Sequence, residues 1–356
     1  MWVLPVPGGP RKGPASKGRF AIGFRGACAN HRRHRLHRLS YRAAVTAAGH
    51  EVHLLVRSPE RIAPAMEPLE VEPPRHTVGD ATDPEAVRTA LDGCDAAIHC
   101  AAVFSLNPRD AARMAATNRH ATEVVLHGAL DRGCQTVYCS SLVSLLPVRT
   151  PTASPHTPLG DARVPYVRSK VDAERLVRGL QADGRSLASV LPGAVTGPHD
   201  PYVGESNEYW IRRPLRSMLP FRMDRGASAL VDVREVAAIL AACLTHGEGP
   251  RTYVTGRYLQ WNDAFVILRS LTGRRLPQFP VPASVARAGA LAFNPLARVG
   301  MPVPFTYESV SLLFQRWALT DESAVRNELG VTEVPLETSF ADTIRWMVEA
   351  GHLRLA

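Results

Sequence analysis

Short apolar runs alternate with longer amphipathic stretches along most of the chain. Runs of small and β-branched residues predict strands at 51–56 (EVHLLV), 95–102 (DAAIHCAA), 135–141 (QTVYCSS) and 187–193 (LASVLPG). Apolar residues spaced three or four positions apart predict helices at 84–94, 111–133, 166–184 and 234–244. Strands separated by helices of this length pair in parallel, so the pattern predicts an α/β fold with a doubly wound sheet.

The alternation weakens after residue 197, where prolines and aromatic residues become frequent. We therefore predict a main sheet domain formed by residues 43–197 and 232–260. Residues 198–231 and 261–356 are assigned to a smaller C-terminal domain that binds the substrate. In such sheets a ligand lies at the carboxyl ends of the strands.

The first fifty residues differ in charge from the rest. Residues 29–42 (ANHRRHRLHRLSYR) contain five arginines, three histidines and no acid. The chain has a net charge of +9, but residues 1–50 hold ten Lys and Arg residues without any Asp or Glu, so the remainder sums to −1. A near-neutral body argues against nucleic acid as a partner of the main domains.

The basic tract stands where a doubly wound sheet carries its first strand-to-helix turn, which is normally rich in glycine. One permitted coding of residues 30–42, read one base later, translates as TTGGTGFIGSHTV. This peptide has glycines at the positions of Arg32, Arg35 and Arg38. Our hypothesis is that residues 1–42 are an aberrant, frame-shifted segment that replaces the first strand and the glycine turn. A genuine basic arm or a disordered extension is the alternative. Arginines in that turn should weaken the binding of a dinucleotide, because only glycine lets the backbone approach the phosphates.

Cysteine usage and hydropathy give expectations about the cellular environment. The six cysteines include no C-x-x-C pair and no Cys/His spacing typical of a metal site, so we expect a reducing compartment and no metal. No apolar run approaches the roughly 18 residues of a membrane span. The segment MWVLPVP is too short for a signal peptide. We expect a cytoplasmic protein with no membrane partner.

Three residues of the body suggest catalytic chemistry. Lys170 is the only lysine in residues 43–356, and Tyr166 lies four positions before it, so both side chains share one face of the predicted helix. A neighbouring ammonium can lower the pKa of a phenol from its ordinary value of about 10, which would make the phenol an acid–base group. Ser141 ends a predicted strand, where its hydroxyl can bind a substrate carbonyl.

Together with GDATD (79–83), HCAA (99–102), LPGAVTGP (191–198) and LVDVREVA (230–237), these residues resemble the extended short-chain dehydrogenases/reductases, also called the NAD-dependent epimerase/dehydratase family. Among them the chain is most similar to dihydroflavonol-reductase and 3β-hydroxysteroid-dehydrogenase-like members, over about residues 43–350. The resemblance implies a Rossmann-type sheet. It also implies that Tyr166 is the general acid/base, that Lys170 lowers its pKa and holds the nicotinamide ribose, that Ser141 orients the substrate oxygen and that Asn118 positions a water.

The resemblance also implies a set of cofactor contacts. Asp80 and Ala81 would border the adenine, Ala101 and Ala102 the ribose and phosphates, and Pro192 and Val195 the nicotinamide. The residue that senses the ribose 2′ position is expected about 20 positions after the glycine turn. Arg57 stands there, at the end of the strand at 51–56. An arginine accommodates a 2′-phosphate, so we expect NADP(H), with NAD kept as the alternative.

These observations predict an NADP(H)-dependent oxidoreductase that interconverts a carbonyl and an alcohol on an apolar small molecule. The apolar, proline-rich sequence at 261–310 favours an apolar substrate over a diphosphate. Two alternatives stay open at this point. One is an NAD-dependent sugar-nucleotide epimerase or dehydratase, and the other is a catalytically inactive dinucleotide fold with a nucleic-acid-binding arm. A homodimer is a further expectation from the family.

Overall fold

The computed structural model describes residues 19–23, 51–66, 72–161, 163–200, 203–216, 221–223, 226–245, 249–299, 301, 303, 306–313 and 317–355. The predicted glycine turn at residues 31–38 lies outside these residues.

Within them the chain forms strands and helices in the alternating order that the sequence predicted. The strands are β1 (Arg19–Gly23), β2 (Glu51–Val56), β3 (Arg75–Val78), β4 (Ala96–His99), β5 (Gln135–Cys139), β6 (Thr152–Ala153), β7 (Leu187–Pro192), β8 (Ala194–Thr196), β9 (Phe221–Met223), β10 (Ala227–Asp232), β11 (Arg251–Thr255), β12 (Arg257–Gln260), β13 (Phe279–Val281) and β14 (Leu319–Thr320). The helices are α1 (Ile62–Met66), α2 (Pro84–Ala90), α3 (Ala111–Leu130), α4 (Pro165–Ala182), α5 (Val233–Cys243), α6 (Trp261–Thr272), α7 (Ala283–Arg298), α8 (Tyr307–Leu313), α9 (Ser323–Asn327) and α10 (Leu336–Glu349).

Seven of these strands form one parallel sheet in the order β11-β7-β5-β4-β1-β2-β3. The direction of winding reverses beside β1, since β2 and β3 lie on one side of it and β4, β5, β7 and β11 on the other. Helices α2 and α3 pack on one face of the sheet, and α1, α5 and α9 pack on the other. The predicted doubly wound α/β fold is confirmed.

The strand β1 corrects one expectation. We expected residues 1–42 to lack a first strand, yet Arg19–Gly23 (RFAIG) pairs with β2 and β4, with Ala21 opposite His53 and Ala97. The basic tract begins downstream of this segment, and RFAIG is apolar enough to complete the sheet between two buried neighbours. The segment was too short to show periodicity, so the pattern of the sequence did not reveal it.

A smaller layer forms beside the carboxyl edge of the sheet. It consists of the three-stranded sheet β12-β10-β8 and of helices α6 and α10. Its core contains Trp210 and Trp261, whose rings stack with centroids 4.4 Å apart, together with Phe265 and Phe340. Asp232 ends β10 and caps α5, because its carboxylate accepts a hydrogen bond from the backbone N–H of Arg234 at 2.8 Å. The division into two domains stays a prediction. Among the described helices, none combines the length and apolar composition needed to span a membrane.

Glu235 joins the smaller layer to the sheet. Its carboxylate lies fully buried in the first turn of α5. The guanidinium of Arg257 in β12 donates two hydrogen bonds to it, at 2.9 and 3.3 Å, and Arg326 in α9 donates another at 2.9 Å. The backbone N–H of Val334 donates a further bond at 3.2 Å. The ion cluster of Glu235, Arg257 and Arg326 therefore holds α5, β12 and the C-terminal segment in one arrangement.

Replacing Glu235 by alanine should lower the free energy of unfolding by about 3 kcal/mol, because Arg257 and Arg326 would lose their fully buried partner and keep only Glu322 and the more exposed Glu333. Glu333→Ala is the matched control. Glu333 lies within 4.0 Å of both Arg257 and Arg326, but its side chain is 47% exposed. An exposed ion pair contributes about 1 kcal/mol or less. Urea unfolding of both variants measures the difference, and equal losses would contradict the assigned role of the buried carboxylate.

Candidate active site

A cavity of about 220 Å³ lies at the carboxyl edge of the large sheet. Residues that follow three neighbouring strands line it: Cys100 and Ala102 after β4, Ser141 after β5, and Gly193 after β7. Parallel strands bring these segments together because all their carboxyl ends meet at the same edge. The cavity therefore occupies the position where a doubly wound sheet binds its ligand.

Tyr166 enters the cavity from the first turn of α4. Pro165 starts this helix, where its fixed φ suits the first helical position and its missing N–H has no cost. The ring of Tyr166 makes an edge contact with Phe104, with centroids 4.4 Å apart. Ser141 faces the same cavity and caps a short 3₁₀ turn at Leu142–Leu145. Its Oγ also donates a long hydrogen bond, 3.4 Å, to the carbonyl of Pro192.

The pKa of Tyr166 shifts in the direction opposite to our expectation. Burial raises this pKa above the ordinary value of 10.0, the neighbouring Cys139 raises it further, and the Ser141 hydroxyl opposes the rise. We expected Lys170 to lower it. The tyrosine ring lies in the cavity against Phe104, so the desolvation of a phenolate outweighs the favourable contacts. The phenol is therefore protonated at neutral pH and can donate a proton.

Lys170 lies one turn beyond Tyr166 on α4. Its side chain is only 6% exposed and lines the cavity. The Nζ atom is 5.8 Å from the centroid of the Tyr138 ring, within the range of a cation–π interaction. Helical spacing therefore places the phenol and the ammonium on one face, as the sequence predicted.

Glu174 continues this face of α4 by another turn, and our sequence analysis missed it. Its side chain is fully buried, and Ser189 Oγ donates a hydrogen bond to Oε2 at 2.9 Å. Burial raises the pKa of Glu174, while Ser140, Ser189 and Arg178 oppose the rise. An acid eight positions after Tyr166 on a helix face that is otherwise buried was the signal that could have revealed it.

Asn118 holds the backbone near the cavity and is not among the residues that line it. Its Oδ1 accepts a hydrogen bond from Val103 N at 2.6 Å, and its Nδ2 donates to Val103 O at 2.9 Å and to Ser169 Oγ at 3.2 Å. These bonds connect α3, the loop after β4 and α4. Asn118 thus positions the segment beside Ala102, and the predicted role in orienting a water stays a prediction.

The residues expected to contact the cofactor fall into two groups. Ala102, Pro192 and Val195 line the cavity with Tyr166 and Lys170, and Ala101 is buried directly beside them. These small and apolar side chains leave room for a flat nicotinamide ring next to a cation, so the described half of the site fits a nicotinamide nucleotide.

The second group lies at the ends of β2 and β3. Arg57 Nη1 is 3.3 Å from Asp80 Oδ2, and the two side chains are 34% and 28% exposed. Asp80 Oδ1 accepts hydrogen bonds from the backbone and the hydroxyl of Thr82, at 2.9 and 2.7 Å, and Ala81 is fully buried between them. The ion pair holds the Arg57 guanidinium at the end of β2, where we predicted that the 2′ position of the cofactor's ribose would lie.

The apolar wall of the cavity was not predicted from the sequence. It comes from loops, from the 3₁₀ turn at Leu142–Leu145, from a helical stretch with a π turn at Glu208–Arg212, from β10 and from α8. Its residues are Phe104, Leu106, Val143, Glu205, Ser206, Tyr209, Trp210, Ala227, Ser228, Ser309, Leu312 and Trp317. Among the described residues that line the cavity, Lys170 and Glu205 are the only charged ones. In the same part of the chain no cluster of His, Cys, Asp and Glu is placed to hold a metal ion.

Gly193 forms the floor of the cavity, where its main chain contacts the main chain of Ala229 in β10. A Cβ atom at this position would lie 2.3 Å from the carbonyl oxygen of Ala229 in β10. The N–H of Gly193 donates to the carbonyl of Thr255 at 2.8 Å. Only glycine allows this approach, so the contact fixes the large sheet against the smaller one.

The sequence matches the model of the NAD dependent epimerase/dehydratase family over residues 40–256. The chain belongs to this family. This confirms the expected short-chain dehydrogenase/reductase type of enzyme, and the match begins just downstream of Arg32, Arg35 and Arg38, where the glycine turn was expected.

Curated relatives include reductase-like members of the family. The chain is 28% identical over 322 residues to sterol demethylase protein B of Methylococcus capsulatus, with 86% of this chain and 94% of that protein covered. It is 28% identical over 320 residues to a putative dihydroflavonol 4-reductase of Synechocystis sp., covering 86% and 90%. A crystal structure of UDP-glucose 4-epimerase from Stenotrophomonas maltophila superposes with a TM-score of 0.72 at 17% identity, covering 94% of this chain and 99% of that chain, which shows the shared fold.

The pKa of Tyr166 can be tested by titration. Because burial raises it, the phenol should ionise only above pH 10, the ordinary value. The measurement is the absorbance change of tyrosinate with rising pH, taken as the difference between the unmodified protein and Tyr166→Phe. Tyr258→Phe is the control, since Tyr258 is 37% exposed. A Tyr166 signal that appears below pH 10 would show that a nearby cation outweighs burial.

Proposed function

We propose that this enzyme catalyses the NADP(H)-dependent interconversion of a carbonyl group and an alcohol on an apolar small molecule. One observation carries the proposal. The cavity combines Tyr166, Ser141 and Lys170 with an aromatic, largely uncharged wall. A sugar nucleotide would bring a diphosphate into the cavity, and among the described lining residues only Lys170 could neutralise it. The names of the sterol and dihydroflavonol relatives agree with an apolar substrate.

The roles of the side chains follow from their positions. When bound, the nicotinamide supplies a hydride to the carbonyl carbon in reduction and accepts it in oxidation. Ser141 orients the carbonyl oxygen by a hydrogen bond, and the protonated Tyr166 gives that oxygen a proton, so that an alcohol is formed. Lys170 holds the ribose and favours the phenolate that remains. Phe104 and Trp210 help to exclude water from the reacting atoms.

We also propose that Arg57 selects NADP(H). Its guanidinium is held by Asp80 yet is one-third exposed, so it can bind a 2′-phosphate without losing its position. Cys134 and Cys243 are buried thiols that form no disulfide within the described part of the chain, which suits the reducing cytoplasm, the location we propose.

Activity should depend on the Tyr166 hydroxyl. In a frame-restored variant, with residues 30–42 replaced by TTGGTGFIGSHTV, Tyr166→Phe should reduce turnover by roughly 10²–10⁴-fold, the range typical of a lost general acid. Tyr258→Phe, an exposed tyrosine, should leave turnover unchanged. The assay measures consumption of NADPH with a panel of apolar ketones. Conversion of UDP-glucose to its C4 epimer, which consumes no cofactor, is measured separately by chromatography as the polar comparison. Reaction with UDP-glucose alone, or normal turnover in Tyr166→Phe, would overturn the proposal.

Cofactor preference should change with Arg57. In the same frame-restored variant, Arg57→Asp should lower kcat/KM for NADPH and raise it for NADH, because a carboxylate repels a 2′-phosphate and can bind a 2′-hydroxyl. Arg61→Asp is the matched control, since Arg61 lies in the next turn and is 43% exposed. If both variants change the ratio of the two kcat/KM values equally, the effect is one of general charge and Arg57 has no selective role.

A further inference from the structure

Helix α7 exposes its apolar side. The outer face of α7, defined here by Val285, Ala288, Leu291, Ala292, Leu296 and Val299, is turned away from the protein. Val285 is 60% exposed, Leu291 58% and Val299 71%. The opposite side, formed by Ala286, Ala290 and Ala297, is buried. A helix in contact with water normally exposes its polar residues, so an apolar outer face of this length indicates an interaction surface.

The stretch of sequence that contains α7 carries charges of one sign. No Asp or Glu occurs between Asp263 and Glu308. The same stretch contains five arginines, Arg269, Arg274, Arg275, Arg287 and Arg298. Arg287 and Arg298 lie on α7 itself, on the flank of the outer face according to the helical spacing. An apolar strip beside arginines complements a surface that is both apolar and negatively charged.

The outer face lies directly over a wall of the cavity. Helix α7 packs on α8 through Ala286, Ala290 and Val310. Ser309 and Leu312 of α8 line the cavity. The hydroxyl of Thr306, just before α8, donates to the carbonyl of Leu106 at 2.8 Å, and Leu106 lines the cavity as well. A partner on the outer face would therefore be separated from the cavity by α7 and α8.

We propose that the outer face of α7 docks on an anionic lipid surface, with the helix lying in the plane of the interface. Val285, Leu291 and Val299 would enter the boundary of the acyl chains, and arginines at the flank would pair with lipid phosphates. A second copy of the chain is the rival occupant. A two-fold contact through this face would place the α7 arginines of one copy near those of the other, which disfavours self-association. The proposal goes beyond the catalytic function and revises the sequence-based expectation of no membrane partner, which rested on the lack of a spanning segment.

Vesicle flotation tests this inference with the chain as it exists. The protein should float with vesicles of phosphatidylcholine and phosphatidylglycerol and bind much less to phosphatidylcholine alone. Leu291→Asp should weaken binding to the anionic vesicles by about tenfold, because a carboxylate would enter the interface. Arg298→Gln should weaken it by about fivefold, the contribution of one basic residue near an anionic surface. Val348→Asp is the matched control, since Val348 is an exposed helical valine (43%) on α10.

The variants also separate the outer face from the basic residues 1–50, which are identical in all of them. Undiminished binding of Leu291→Asp would assign vesicle binding to those basic residues and overturn the proposal. Absence of binding by the unmodified protein would overturn it too. So would a dimer in solution that Leu291→Asp dissociates while no vesicle binding occurs. If Leu291→Asp and Val348→Asp unfold at the same temperature as the unmodified protein, the comparison concerns the surface alone.

Discussion

The buried carboxylate of Glu235 is the interaction on which the geometry of the cavity depends. It accepts hydrogen bonds from Arg257 in the smaller sheet and from Arg326 in the C-terminal segment, while its own helix packs on the large sheet. A charge in this place is tolerated only because both arginines compensate it. The segment that contains Arg326 directly follows α8 and Trp317, which contribute to the apolar wall of the cavity. The residues of the large sheet and of the apolar wall that line the cavity are thus held in register by one charge cluster.

Much of the fold could be read from the sequence because the signals were local. The strands at 51–56 and 187–192 and the face shared by Tyr166 and Lys170 follow from the spacing of residues along the chain. The apolar wall could not be read in this way. It combines loops, a π turn and a short helix, which have no common period and meet only through contacts between residues far apart in sequence. Strand β1 was missed for a related reason, since five residues carry too little pattern.

The pKa shifts on α4 could not be predicted from the residue types alone. From the spacing of Tyr166 and Lys170 we expected a lowered pKa for the phenol. Burial reverses the direction, and it also raises the pKa of Glu174 one turn beyond the lysine. The helix therefore presents a phenol, an ammonium and a carboxyl group in succession, and the depth of each group decides its protonation. Sequence gives the order of such groups, whereas only the packed structure gives their depth.

The contact between Gly193 and the carbonyl of Ala229 limits how substitutions can change the size of this cavity. A side chain at residue 193 would have to displace main chain on both sheets, so the cavity keeps its dimensions here as long as the two sheets stay together. Larger or smaller ligands are more easily accommodated by exchanges in the apolar wall, for example at Tyr209 or Leu312. Directed evolution for new substrates would accordingly yield mutations in that wall and leave the glycine untouched.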